Sequence, residues 1–106
     1  IPRPHQVYDD YWQTNSQTYT AMSGVKWDRT KPQKILERFT KEDNIDYISL
    51  MPLFQQDYAR SGKRVSYRGG HFTDYGHLVV ADILYNKLVE ELAGNSLKSQ
   101  GINPVN

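Results

Sequence analysis

Cysteine is absent from the sequence, which excludes disulfides, thiolate metal sites and a cysteine nucleophile. The compartment stays open, because disulfide-free proteins occur in reducing and oxidising surroundings alike. Long hydrophobic runs are also lacking: nothing approaches the ~18 consecutive apolar residues of a membrane span. Ile1 leads straight into Pro2 and Arg3, with no charged-then-apolar signal segment and no starting methionine, so the true N-terminus is expected elsewhere. An excess of one charge is missing too. Thirteen Lys and Arg stand against twelve Asp and Glu, a formal net charge of +1, which nominates no nucleic-acid partner. What remains is 106 residues with 38% apolar and 24% charged content, the balance of one globular domain.

The chain opens with an aromatic and polar stretch in which Val7, Tyr11, Thr14 and Thr18 fall on one helical face and Asp9 and Asp10 on the other, near the favourable N-terminal end. A short helix is expected there, with a possible first strand at Ile1, followed by a linker over 14–30 that carries Trp27. Thr30, Pro32 and Gln33 form a capping-box pattern ahead of Ile35, Leu36 and Phe39, which predicts a helix over 31–41. Ile45 to Met51 is β-branched, aromatic and partly alternating, and Pro52 closes it, so it reads as a buried strand. Leu53 to Arg60 forms one or two helical turns ending at Ser61-Gly62, and Arg64 to Tyr67 is a short extended piece. Thr73 caps a long terminal helix whose apolar stripe is Leu78, Ala81, Tyr85, Leu88 and Leu92; Gly94-Asn95 stops it, and 96–106 reads as a flexible tail. The order implies an α/β layered fold. One confident strand cannot make a sheet, so the chain reads as part of a larger α/β domain.

The stretch Gly69-Gly70-His71-Phe72-Thr73-Asp74-Tyr75-Gly76-His77 delivers a histidine from a flexible turn to the start of a helix. An imidazole there can titrate near neutrality and reach a nucleophile, as a general base must. Equally, one histidine in a loop is commonly a surface or capping residue.

The run from His71 to Ala81 resembles the last motif block of the SGNH (GDSL-like) hydrolases, in which the base histidine is followed by a Thr or Asn, a Gly-His pair and the final helix. Ile1-Pro2 with Gln6-Val7-Tyr8 and Tyr11-Trp12, then Pro32 with Ile35-Leu36, then Ile45 to Pro52, are similar to successive segments of one subgroup. The resemblance covers about 1–92 and matches the C-terminal half of that family's domain. It implies a partial three-layer α/β/α, flavodoxin-like fold over 1–95, few strands and a long terminal helix. It also implies a serine hydrolase acting on acyl esters of carbohydrates or lipids, with His71 as the catalytic base and no cofactor. The family's nucleophile, glycine and asparagine blocks have no counterpart in these residues. The implied partner is therefore the missing N-terminal half of the domain, and this chain alone is expected to be inactive.

One departure lies inside the motif. The family places an aspartate two or three residues before the histidine, where this chain has Gly69 and Arg68. Arg68 has the wrong sign to support an imidazolium, so another group orients the ring or the chain is a catalytically degenerate carbohydrate-binding or interaction module. Asp74 is the nearest acid, and its expected place is the first helical turn.

The remaining candidates read as structural. His77 is expected to hydrogen-bond within the motif and His5 to sit in a loop; six residues separate His71 from His77, which is not a metal-ligand spacing, and no metal is expected. Lys63, Arg64 and Arg68 read as a solvated basic turn, Gln55, Gln56 and Asp57 as solvent-facing. Tyr8, Trp12 and Trp27 could stack on sugars but are better taken as core-filling aromatics. The apolar face of the terminal helix makes a homodimer a further expectation.

Overall fold

Pro4 begins the first regular element, where a residue without an N–H and with a pre-set φ suits a helix start. The computed structural model describes residues 1–18, 24 and 26–99. Among them run five helices: α1 Pro4–Val7, α2 Asp9–Thr18, α3 Lys31–Glu42, α4 Leu50–Ser61 and α5 Asp74–Ser99.

The described residues form no sheet, and the α/β three-layer, flavodoxin-like expectation is overturned. Their one recorded β pairing is an isolated antiparallel bridge between Ser66 and Phe72. Ile1–Arg3 and Ile45–Ser49 have no regular structure. Isoleucines and aromatics favour a strand only when neighbouring strands accept their backbone hydrogen bonds, and none does so here. Pro52, read as a strand stop, instead occupies the first turn of α4, where its missing N–H removes no helical bond.

Other boundaries follow from local chemistry. The capping box at Thr30 is not made: the Thr30 N–H and hydroxyl both donate to the Asp28 carboxylate, at 3.0 and 2.9 Å. Asn44 takes φ 54° after α3, a left-handed position that asparagine tolerates, and Ile45 N–H closes back on Thr40 O at 2.8 Å. Gly62, at φ 70°, ends α4 as the sequence implies. Gly94 does not stop α5, whose backbone continues to Ser99; a glycine in a helix costs about 1 kcal/mol without ending it. The part of the expected tail beyond Ser99 lies outside the described residues.

The core gathers around Val7, Tyr8, Phe54 and Val65, with Tyr11, Leu50, Tyr58, Phe72, Tyr75, Val79, Val80 and Ile83 packed on it. Tyr8 meets Tyr11 and Tyr58 edge-on and is 1% exposed, so it fills the core. The stripe expected to bury α5 faces outward instead: Leu78, Tyr85 and Leu92 are each about two-thirds exposed. Ile35, Leu36 and Phe39 of α3 are also exposed. A radius of gyration of 17.2 Å exceeds the roughly 13 Å of a compact chain this long. The accessible surface of 8140 Å² likewise exceeds the roughly 6,100 Å² expected at this mass.

Candidate functional site

His71 sits on a turn tied at both ends. Tyr67 N–H donates to His71 O at 2.8 Å and Gly70 N–H to Tyr67 O at 2.9 Å, while the Ser66–Phe72 bridge closes the base of the loop. Gly70 adopts φ 99°, which a side chain would oppose, and a Cβ there would lie 3.1 Å from the Arg3 guanidinium. The His71 side chain is exposed, and no ion pair of the described residues includes it.

The turn is docked on the core through its C-terminal flank. Thr73 N–H donates to Val65 O at 3.0 Å, and the Thr73 hydroxyl donates to Arg64 O at 2.9 Å. The same hydroxyl oxygen accepts the Gly76 N–H at 2.9 Å, so Thr73 caps α5 as expected and also anchors it. Gly76 is buried against Val65, and a Cβ at that position would fall 2.7 Å from the Val65 carbonyl carbon. Glycine in the Gly-His pair thus lets α5 start directly on the segment before the turn.

The opposite flank rests on an arginine among tyrosines. Arg64 lies 4.5 Å over the Tyr8 ring, 4.4 Å over Tyr11 and 5.0 Å over Tyr58, and donates to both Asp10 oxygens at 3.2 and 2.9 Å. Arg68 lies 4.8 Å over the Tyr11 ring, and Lys63 5.1 Å over Tyr75. Lys63 and Arg68 are exposed and Arg64 is half-buried, and each of the three cations also lies over an aromatic ring. Burial pushes the Asp10 carboxyl upward, but the hydrogen bond and charge of Arg64, with backbone N–H groups, outweigh it and hold the carboxyl below its usual range. Burial pushes the Tyr8 hydroxyl above its usual range despite the Val65 N–H donated to it at 2.8 Å.

Arg68 is thus turned onto Tyr11, and no described carboxylate takes the place of the family's aspartate beside His71. Asp74 lies in the first turn of α5 and forms no ion pair with His71. The His77 ring meets Phe72 edge-on at 5.5 Å, and only its backbone N–H bonds within the motif, to Thr73 O. His5 is in α1 rather than a loop, stacked on Trp12 at 6.2 Å. No group of His, Asp and Glu among the described residues could hold a metal.

Two residues escaped the sequence reading. Gln6, buried, receives Arg3 N–H at 2.9 Å and donates to Arg29 O and Gln33 Oε1, joining α1 to α3. Asp57, read as solvent-facing, accepts the Tyr75 hydroxyl at 2.9 and 3.0 Å and the Arg60 guanidinium at 2.7 Å. Their links across the fold carry no local signal, since Arg29, Gln33 and Tyr75 lie 18 to 27 residues away. Trp27 is exposed on its loop. Comparison with protein-family models, with curated proteins and with solved structures finds no match for this chain.

Proposed function

We propose that this chain supplies the general-base histidine, His71, of a serine ester hydrolase of the SGNH kind, the nucleophile and oxyanion donors coming from polypeptide outside these 106 residues. The observation that carries the reading is an exposed imidazole, free of ion pairs, on a turn held at both ends and joined directly to a capped helix. A base must be fixed in place yet open to the proton it takes. The reading does not rest on a sheet. The uncovered apolar faces of α3 and α5 favour a partner, and the remainder of the hydrolase is the occupant this reading gives them.

The full-length polypeptide containing these residues is tested on a chromogenic acetyl ester, with His71→Ala alongside. Loss of roughly 10²–10⁴-fold in kcat is expected for removal of a general base; unchanged turnover removes the role.

A second reading, a binding module without turnover, is favoured by the position three before His71, which holds not a carboxylate but Arg68, turned onto Tyr11. Saccharide binding by the full-length polypeptide with no ester hydrolysis would select it.

A further inference from the structure

Arg3, His5, Tyr11, Thr14, Asn15, Thr18 and Arg68 line a cavity of about 410 Å³, the size of a small-ligand site. No carboxylate lines it. Among the described residues Arg3 and Arg68 make no ion pair, whereas Arg29 and Arg64 are matched to Asp9 and Asp10. Arg29 nevertheless leaves a buried Nη2 without a hydrogen-bond partner and lies 5.9 Å over the Trp12 ring. Burial, then the charges of Arg3 and Arg29, hold the His5 imidazole below its usual range. The cavity therefore carries positive charge that nothing described neutralises.

The rest of the wall is suited to a sugar. The His5 ring, backed by Trp12, lines one side, Tyr11 lies under the Arg68 guanidinium, and Thr14, Asn15 and Thr18 offer hydroxyl and amide groups. Two planar guanidinium forks match a carboxylate better than a compact cation would. The Arg3 guanidinium also lies near the turn, 3.1 Å from where a Cβ on Gly70, one residue from His71, would fall.

We infer that this cavity binds a carboxylate-bearing sugar ring and holds it beside the His71 turn. The binding stands on the cavity alone; that the bound saccharide is the ester substrate rests on the hydrolase reading above.

The test is calorimetric titration of the 106-residue chain with oligogalacturonate, with the uncharged galactose oligomer and with inorganic phosphate. The acidic oligomer is expected to bind, at least tenfold more tightly than either of the others. Arg3→Gln and Arg68→Gln should each weaken it about tenfold, as loss of a charge-assisted contact does, with helicity by circular dichroism unchanged. Arg3 is the safer variant because it stacks on no ring. His71→Ala should bind within twofold of the unaltered chain, so failure of the catalytic reading leaves this result standing. Equal affinity for the neutral oligomer, phosphate binding as tight as the acidic oligomer, or binding indifferent to both arginine substitutions overturns the inference.

Discussion

Gly76 packs against the carbonyl of Val65 so closely that any side chain would have to displace backbone, which couples the start of α5 to the segment leading into the His71 turn. The contact joins the two flanks of the turn without using the turn itself. The position of the His71 turn is thus set by its supports.

Replacing this glycine should break that coupling. Gly76→Ala is expected to destabilise the chain by about 2 kcal/mol or more, since the clash is with backbone rather than with a movable side chain. Urea unfolding measures it, and a change within 0.5 kcal/mol, about the size of an ordinary surface substitution, would contradict the close approach.

Tyr8→Phe removes the acceptor for the buried Val65 N–H while keeping the ring. An orphaned buried donor costs about 1–3 kcal/mol, so the unfolding midpoint should fall. Amide exchange at Val65 should accelerate with it.

Arg64 binds three tyrosines and Asp10 at once. Arg64→Gln should cost about 1–3 kcal/mol, because each exposed cation–π contact contributes about 0.5–1 kcal/mol and the partly exposed ion pair adds little. Asp10→Asn should cost distinctly less than Arg64→Gln; equal losses would place the stabilisation in the ion pair instead.

His5 provides a pH signature. Its folded pKa lies below the unfolded value near 6.5, so the unfolded chain takes up the proton first. Stability from this group is complete above about 6.5 and falls as pH drops from there toward the folded pKa. Proton NMR should show His5 titrating below the ordinary imidazole value, and Arg3→Gln should raise its midpoint. A His5 midpoint at or above that of an exposed histidine would contradict the positive surroundings of the cavity.

Helical periodicity made α3 legible, and a glycine stop and a threonine cap marked α4 and α5, because each depends on residues within a turn or two. The strand over Ile45–Met51 was misread because β propensity reports the side chains, whereas a strand needs partners that are found only in three dimensions. Pro52 misled for a related reason: a proline ends a strand and equally opens a helix. The outward face of α5 carries the same apolar period as a buried face, and nothing local distinguishes them. At the site, the glycine pair and His71 were visible in the sequence. The Arg64 cage was not, since Tyr8 and Asp10 lie more than fifty residues before it.

The uncovered leucines of α5 have a consequence for the isolated chain. It should self-associate as concentration rises, and Leu88→Glu should return it to a monomer by sedimentation velocity. A monomer at all concentrations would mean that this face does not seek apolar contact.

The role of His71 is tested most directly by the rate at which a fluorophosphonate labels the full-length polypeptide containing these residues, because labelling reads the activation of the serine before any substrate preference enters. We expect His71→Ala to slow labelling at least about a hundredfold while leaving the fold intact. Labelling at an unchanged rate, or none in the unaltered protein, would contradict a base at this position.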